Sequence, residues 1–515
     1  MKLALFGMLV ASFLHAPLTS FAQAPKPQPE VRIQVEKAQV TGATLYPAEQ
    51  LEALIHPQIR GAHTLSELNL AAERIAGLYR ADGWALVQVF LPPQTVQDGV
   101  LEIRVLEGAL SELRIDNTSR MRTQTLDRWL SSLQLSKPVN LDQVNRKLLL
   151  LSDLPGIQVR SELTPGQAAG DTALRIKAQA EALLSGKLEI DNHGSSYLGQ
   201  VRAGGKFNLN NPLGYGEQLN LQLLSSHTHL FLGNLSAQLP IGTNGLTLGT
   251  TLIRSQYQLG ADFAQLDATG HIKSAGLFLN YPWIRSQAIN LSSQISAETR
   301  SMQDVVGATD TRMDKRGQHF SLRFQLGVRD PYGGDNQAGL RISTGHLSLD
   351  EAVARAIDDA GAQTAGTYRT LELDLQRAQY FSPRWSTAIH LRGQFASKNL
   401  DSFNQFTLGG PSGVRAYPSG EATGDQGWLA QLELRYAYSP SLTPSLFLDA
   451  GTIEINKNPF LPGNNRRNLA GMGAGLRGSH QAFDWQAWLA WRLGGPPLSE
   501  RDKLPRLWVQ GSWRF

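Results

Sequence analysis

Few residues of this 515-residue chain have the types and spacing that enzymatic chemistry needs. Gly-Pro-Ser-Gly at 410–413 does not fit the G-x-S-x-G pattern of a nucleophilic serine, and no strand-turn-helix pattern surrounds it. His227 and His229 could share a strand face and bind a metal ion, but two imidazoles without a nearby carboxylate are more typical of a solvated loop. The sequence also lacks a glycine-rich phosphate-binding loop. It therefore predicts no enzyme, metal site or cofactor.

The stretch LGGPSGVRAYPSGEATGDQG, Leu408 to Gly427, is a stronger candidate for function. Its six glycines and two prolines are typical of a surface loop. Its centre, Val414-Arg415-Ala416-Tyr417-Pro418, is bulky, whereas a plain linker would have small polar residues there. The composition therefore predicts a loop, but a flexible linker alone does not explain its bulky centre.

The composition of the chain excludes one class of partner and indicates export. The net charge of +4 comes from 48 basic and 44 acidic side chains spread along the chain, without the basic block typical of nucleic-acid binding. Residues 1–22 combine Lys2, an apolar run and small residues at the end, which predicts a signal peptide cleaved after Ala22. The apolar run is shorter than the roughly 20 residues of a membrane anchor. The chain has no cysteines, so its stability does not depend on disulfides.

Residues 184–515 are predicted to form an outer-membrane β-barrel. No segment after the signal peptide has about 18 consecutive apolar residues, whereas 49 glycines, a mean hydropathy of −0.24 and repeated alternation suit barrel strands. We count sixteen strand candidates, an even number, as a bacterial single-chain barrel requires. They are 186–193, 200–210, 217–225, 230–240, 246–259, 271–283, 288–299, 318–329, 338–348, 368–380, 386–397, 428–438, 445–455, 467–478, 483–493 and 506–515.

The connections between these candidates alternate in length, which a soluble β-sandwich would not do. The short ones include NPLGYG and GTNG, and the long ones include 300–317, 349–367, 399–427 and 494–505. Outer-membrane barrels have short turns on the periplasmic side and long loops outside. The stretch around Arg415 is thus predicted in a long outer loop between the eleventh and twelfth strands.

Two small modules precede the barrel, at 31–108 and 109–180. In the first, VRIQVEKAQVTG has a strand pattern, residues 64–82 have helical spacing, and two strand patterns follow. In the second, LSELRIDN precedes two helical segments and two strands. We interpret both as β-α-α-β-β units. The predicted fold class is mostly β, with a sixteen-stranded transmembrane β-barrel after two periplasmic α+β domains.

The alternation of side chains across a strand assigns the faces of the barrel wall. The thirteenth candidate contains Phe447-Leu448-Asp449-Ala450-Gly451, and its leucine suits lipid, so Phe447, Asp449 and Gly451 face the lumen. The same counting turns Glu433 and Arg435 of the twelfth candidate inward.

The last candidate, RLWVQGSWRF, places Trp513 and Phe515 on its lipid-facing side. A barrel that ends on an aromatic residue, with another aromatic two residues earlier, resembles the assembly signal of outer-membrane barrels. Both could instead be ordinary aromatic girdle residues.

Together, the two modules, the sixteen strands, Val414-Arg415-Ala416-Tyr417 and Phe447-x-Asp449-x-Gly451 resemble the two-partner secretion transporters (TpsB), the haemolysin and filamentous-haemagglutinin secretion family. The modules resemble POTRA domains, and the resemblance covers nearly the whole mature chain. In that family the loop motif is Val-Arg-Gly-Tyr or Val-Arg-Gly-Phe. The resemblance implies that the long loop, 399–427, folds back into the lumen and that Arg415 pairs with Asp449. Glu433 and Arg435 could extend this network or be solvated by channel water.

The resemblance also implies a function. The periplasmic modules would capture an unfolded partner exoprotein, an adhesin, cytolysin or toxin, and the barrel would pass it across the outer membrane without ATP. Further expected partners are outer-membrane lipid and, during biogenesis, the barrel-assembly machinery and periplasmic chaperones. The alternatives are a barrel-assembly insertase of the same superfamily, which usually has more POTRA domains, and a passive porin, which would not need periplasmic modules.

The chain departs from the family pattern in two places. The family glycine of the loop motif is Ala416 here, which would be strained if that position required a positive φ angle. Many family members have an N-terminal helix that plugs the barrel, but cleavage after Ala22 would leave only the proline-rich segment 23–30 before the first strand. We therefore expect no plug helix of that kind.

Overall fold

The computed structural model describes residues 31–133, 135, 137–168, 170–227 and 229–515. The predicted signal peptide, 1–22, and the segment 23–30 lie outside the described residues.

The first module contains five strands and two helices in one compact unit that ends at Gly108. Its elements are β1 (Arg32–Val35), β2 (Lys37–Thr41), α1 (Ala48–Ile59), β3 (Gly61–Thr64), α2 (Leu65–Ala81), β4 (Gln88–Phe90) and β5 (Val100–Leu106). The order β2-β5-β4 forms one sheet, and β1 pairs with β3 in a second. The predicted β-α-α-β-β order was therefore wrong at β3, because this strand of four residues forms only by pairing with β1 and carries no apolar alternation of its own.

The helix α2 follows directly from its sequence. Thr64 and Glu67 form a capping box: the Glu67 amide donates to the Thr64 hydroxyl (3.3 Å), and the Thr64 amide donates to the Glu67 carboxylate (2.9 Å). Leu68, Ile75 and Tyr79 lie on one buried face of this helix, which packs in the core of the first module.

The partly buried carboxylate of Glu107 stabilises the same module. It accepts hydrogen bonds from the Thr44 and Leu45 amides (2.8 and 2.9 Å) and from the Tyr79 hydroxyl (2.8 Å). Burial alone would raise the pKa of Glu107, but these hydrogen bonds outweigh burial and hold the pKa below its ordinary value. Glu107 therefore remains ionised and joins the end of β5 to α2.

The second module has the predicted β-α-α-β-β order. Its elements are β6 (Ala109–Thr118), α3 (Thr123–Leu130), α4 (Leu141–Ser152), β7 (Ile157–Pro165) and β8 (Asp171–Ala180). The sheet order is β6-β8-β7, so β7 is an edge strand. Leu126, Trp129 and Leu151 of the two helices pack against the sheet in the core of this module.

The barrel is closed and has sixteen strands, which confirms the predicted fold class. They are β9 (Leu184–Asp191), β10 (Arg202–Asn210), β11 (Gln218–Ser225), β12 (Leu230–Pro240), β13 (Thr247–Gln258), β14 (Ala268–Arg285), β15 (Ile289–Val306), β16 (Thr311–Arg329), β17 (Gly334–Leu349), β18 (Gly366–Tyr380), β19 (Trp385–Ala396), β22 (Gln426–Tyr436), β23 (Leu442–Glu454), β24 (Arg466–His480), β25 (Phe483–Arg492) and β26 (Arg506–Arg514), with the short β20 (Phe406–Thr407) and β21 (Thr423–Gly424) inside one connection. β26 closes the barrel against β9.

One predicted long connection, 300–317, is instead a β-hairpin. β15 and β16 remain paired as far as Val306 and Thr311, and only a short 3₁₀ turn, Gly307–Thr309, joins them. The polar residues of this segment suggested a loop. They still alternate between two faces, and strands of 18 and 19 residues are longer than the 9–11 residues that a bilayer requires.

Helices contribute little to the barrel. The connection between β17 and β18 contains one helix, α5 (Ala352–Ala360). No helix within the described ranges combines the length and the apolar character needed to cross a membrane.

Contacts of the second module with the short turns show which end of the barrel faces the periplasm. Arg285 forms an ion pair with Asp153 (2.7 Å), and Lys147 donates to the Thr243 carbonyl oxygen (2.8 Å). Arg122 likewise donates to the Leu213 carbonyl oxygen (3.0 Å). These contacts are made at or beside the short turns after β10, β12 and β14. The long connections therefore lie at the opposite end, here called the outer end.

Candidate functional site

The connection between β19 and β22, residues 397–425 and here called the inward loop, folds back into the lumen. β20 pairs antiparallel with β21, so the first arm (399–407) and the return arm (419–425) lie side by side. Between them, the tip (408–418) is held by hydrogen bonds such as that from the Leu408 amide to the Ala422 carbonyl oxygen (3.0 Å). This path places the tip against the inner wall of the barrel.

Arg415 contacts Asp449 at three points. Its Nη2 donates to Oδ1 (2.7 Å), its Nε donates to Oδ2 (2.9 Å), and its backbone amide donates to Oδ2 (3.0 Å). Arg415 is 3% exposed and Asp449 is fully buried. A two-pronged pair of this geometry satisfies an inward carboxylate that burial would otherwise destabilise.

Glu433 is a second carboxylate partner of Arg415. The Arg415 Nη1 donates to Glu433 Oε2 (3.0 Å), and Glu433 Oε1 accepts from Arg435 Nε and Arg477 Nη2 (both 3.0 Å). Glu433 and Arg435 on β22 were predicted either to extend the Arg415–Asp449 network or to be solvated by channel water. In the structure Glu433 contacts Arg415 directly, and Arg435 joins the network through its contact with Glu433. Sequence analysis missed Arg477; its only signal is a lumen-facing position on β24.

Aromatic residues enclose the guanidinium of Arg415. Its central carbon lies 3.5 Å from the centroid of the Phe447 ring and 6.0 Å from that of Trp488. The Trp508 indole donates to the Arg415 carbonyl oxygen (2.7 Å). Phe447 and Asp449 are two residues apart and therefore lie on the same face of β23. This one strand supplies both the carboxylate and the aromatic ring that stabilise the buried guanidinium.

The bulky centre of the loop is an apolar anchor. Val414 and Tyr417 are fully buried, and the Tyr417 hydroxyl donates to the Gly495 carbonyl oxygen (2.8 Å). Pro418 is buried beside them, and its carbonyl oxygen accepts from the Glu421 amide (3.2 Å). Their apolar neighbours from the loop and the wall are Phe406, Leu408, Leu429, Phe447, Ile453, Leu469, Trp488, Ala490 and Trp508.

Ala416 fits its position without backbone strain. It is not among the described residues with a positive φ angle, so replacing the family glycine by alanine causes no backbone strain at this position. Ala416 lies on Gly471, where an added Cβ would come within 2.4 Å of the Ala416 Cβ. Gly451 has a similar role, because an added Cβ there would lie 2.7 Å from Leu408 Cδ2. Glycines of the wall thus provide the room for the tip.

Gly471→Leu is expected to displace the tip from the wall. The chain has no cysteine, so a Val414→Cys background provides a single thiol that is buried when the tip is in place. We expect the maleimide labelling rate of this thiol to rise at least about tenfold with Gly471→Leu, because overpacking shifts the loop equilibrium. Gly317→Leu is the control, since an added Cβ there has its nearest neighbour at 3.7 Å. Equal labelling of the two variants would contradict the role of Gly471.

The return arm is bound by a buried carboxylate. Glu421 is 2% exposed and accepts hydrogen bonds from the Leu498 and Ser499 amides (both 3.0 Å), the Ser499 hydroxyl (2.6 Å) and Arg467 (2.8 Å). These contacts join the loop to the outer connection 493–505. Sequence analysis missed Glu421, because backbone amides from another connection leave no sequence signal.

Asp425 fixes the base of the inward loop. It is fully buried, and its carboxylate accepts from the Leu400 amide (3.0 Å), the Gln405 side-chain amide (3.0 Å) and the Lys457 amide (2.8 Å). Both ends of the loop are therefore held at one point.

The other predicted site residues lie away from the loop. Trp513 and Phe515 are 50% and 40% exposed, which agrees with the predicted lipid-facing side, and their role in barrel assembly stays a prediction. His227 and His229 lie in the short connection between β11 and β12, as the strand candidates 217–225 and 230–240 predicted, and they do not share a strand face. No cluster of three or more potential metal ligands occurs in the part of the chain that the structure describes.

Comparisons with known proteins agree with this architecture. Residues 170–478 match the family of the haemolysin secretion/activation proteins ShlB/FhaC/HecB, and residues 33–108 match the ShlB-type POTRA domain. The heme/hemopexin transporter protein HuxB of Haemophilus influenzae is 28% identical over 424 residues, which cover 80% of this chain and 75% of HuxB.

Solved structures show the same fold. CdiB from Escherichia coli superposes with a TM-score of 0.78 at 19% identity, over 97% of this chain and 93% of CdiB. BamA from Haemophilus ducreyi lacking POTRA domains 1–3 gives 0.53 at 16% identity, over 94% of this chain and 100% of that chain. Because the family match spans more than half of its length, the chain belongs to the ShlB/FhaC/HecB family of haemolysin secretion/activation proteins, which are two-partner secretion transporters of the outer membrane.

Proposed function

We propose that the partner protein enters this transporter at the second module and passes through the lumen between the inward loop and the wall formed by β14 to β19. The chain is an outer-membrane transporter that secretes a partner exoprotein. The proposed cargo is a secreted adhesin, cytolysin or toxin that arrives unfolded in the periplasm.

A large polar cavity carries this proposal. It has a volume of about 1470 Å³ and extends from Leu149 and Asp153 of the second module to Ser412 and Gly413 of the inward loop. Its charged lining consists of Arg285, Arg300, Arg323, Arg329, Arg341, Arg392, Asp153, Asp335, Glu372 and Asp374. Such a lining can replace water around the backbone of an extended chain, which an apolar channel would leave without hydrogen-bond partners.

The edge strand β7 provides the proposed capture surface. Within the described residues it pairs with β8, and its residues from Ser161 to Thr164 are exposed. An unpaired strand edge can bind an extended segment as an added strand, with affinity from backbone hydrogen bonds.

Site-specific photo-crosslinking tests the proposed entry point. A benzoylphenylalanine at Ser161 is expected to crosslink to the partner protein during secretion, because the partner would pair with β7. The same group at Leu446, which is 62% exposed on the lipid-facing side of β23, is the control and should give no such product. A chain that secretes its partner but gives equal products at both positions would contradict capture at β7.

The proposed role of Arg415 is to hold the tip so that the inward loop forms one side of the passage. Phe403–Thr407, Gly409, Ser412 and Gly413 line the cavity, whereas the Arg415–Asp449 pair lies behind them against the wall. Loss of this pair would let the loop enter the space that the partner protein needs.

A further inference from the structure

The outer end of the lumen is filled, in contrast to the polar cavity beneath it. Along the inward faces of the strands, charged residues such as Arg300 and Arg341 give way to Met302, Leu347, Tyr368 and Ala396, all at most 8% exposed. Leu400 of the first arm, 3% exposed, packs against Tyr368 and Ala396. The cavity thus ends below a layer of buried side chains to which the first arm contributes.

One ion pair holds the first arm to the wall beyond this layer. Lys315 on β16 forms ion pairs with Asp401 (2.8 Å) and with Asp304 on β15 (3.0 Å). The side chains of Lys315 and Asp401 are 14% and 7% exposed. The first arm leaves the barrel at β19, so the Lys315–Asp401 pair joins it to a strand three positions away in the barrel order.

Arg300 on β15 binds the next turn of the arm. Its Nη1 donates to the Asn404 side-chain oxygen (2.9 Å), and its guanidinium lies 4.3 Å from the centroid of the Phe403 ring. This contact is made by a long side chain at the border of the polar cavity, where water can replace it more easily than the contacts of the buried tip.

We propose that the first arm, residues 399–407, is the outer gate of the lumen, and that Lys315 and Arg300 hold it closed. The tip stays bound through Arg415, while the first arm, which remains joined to the return arm through the β20–β21 pair and Asp425, moves away from β15 and β16. This inference rests on the proposed function, because a partner that enters the cavity can leave outward only if this layer opens.

A reversible bridge tests the gate. In the cysteine-free chain, Lys315→Cys and Asp401→Cys supply the only two thiols, which a short, reducible bis-methanethiosulfonate reagent can join. The bridged protein is expected to secrete no partner, and in planar bilayers its ionic conductance should not exceed that of the parent chain. Cleavage of the bridge by a reductant should restore secretion. The matched control joins Arg316→Cys to Asp350→Cys, an exposed ion pair (3.0 Å) of the wall next to Lys315, and this bridge should leave secretion unchanged. Secretion through the bridged gate, or a block by the control bridge, would overturn the proposal.

Single substitutions test the gate without cargo. Lys315→Ala is expected to raise the fraction of time that the channel conducts at least about tenfold, because loss of a largely buried ion pair shifts a two-state equilibrium by more than that factor. Arg316→Ala is the control, since Arg316 pairs with Asp350 on the outside and its side chain is 75% exposed. Unchanged conductance with Lys315→Ala would overturn the gate while leaving secretion by the parent chain intact. Failure of the parent chain to secrete would instead remove the proposed function.

Discussion

Arg415→Ala is expected to reduce secretion of the partner protein by roughly two orders of magnitude or more, because it leaves two buried carboxylates without their shared cation. Asp449 is fully buried and Glu433 is 6% exposed, so neither can be solvated while the tip stays in place. The sixteen paired strands do not depend on this contact, and the barrel should still assemble. Partner protein in the medium measures secretion, and heat-dependent mobility in gels measures assembly.

Arg435→Ala is the matched control for this prediction. It removes the same charge and also breaks a contact with Glu433 (3.0 Å), but Arg435 does not reach Asp449 and its side chain is 28% exposed. Secretion should remain close to that of the parent chain. Normal secretion by Arg415→Ala, or an equal loss with Arg435→Ala, would remove the role assigned to the loop arginine.

Asp449→Ala is expected to have the second largest effect, a loss of secretion of about tenfold to a hundredfold. The loss should be smaller than that of Arg415→Ala, because the orphaned guanidinium keeps its ion pair with Glu433 (3.0 Å) and its contact with the Phe447 ring. Asp449→Asn retains an acceptor for the Arg415 side chain and should secrete more than Asp449→Ala. The comparison uses the same secretion assay, normalised to assembled barrel.

The double variant separates one shared role from two independent ones. If Arg415 and Asp449 act as a unit, Arg415→Ala combined with Asp449→Ala should secrete as much as Arg415→Ala alone, because the single change has already lost the contact. Multiplicative losses, or a larger loss with Asp449→Ala than with Arg415→Ala, would show that the aspartate has a separate function.

The barrel could be predicted from the sequence because the alternation of lumen-facing and lipid-facing residues is visible within each strand. Alternation assigned the lumen face of β23, and each of the sixteen candidates overlaps an observed strand. The failures have a common cause. β3 forms only by pairing with β1, and the outer parts of β15 and β16 pair with each other in a hairpin of mainly polar residues; such backbone pairing leaves little trace in a polar sequence.

The site was predictable only in part. The family resemblance indicated Arg415 and Asp449, and strand alternation independently turned Asp449 inward. Glu421 and Lys315 were missed because their partners lie far away in sequence, at 498–499 and at Asp304 and Asp401. Gly471 was missed because its importance depends on the register that places it beside Asp449 on the next strand.

The strand pair that closes the barrel, β26 with β9, determines which part of the structure a heat-resistance assay measures. β26 and β9 are joined through five residue pairs, whereas β15 and β16 share eighteen. Local unfolding costs least where few contacts must be broken, so thermal opening is expected to start at this seam. The melting of the barrel in detergent therefore reports mainly on this seam, which the inward loop contacts through the Trp508 indole of β26 and the His193 carbonyl oxygen after β9. A variant can lose transport entirely and still run as a folded barrel.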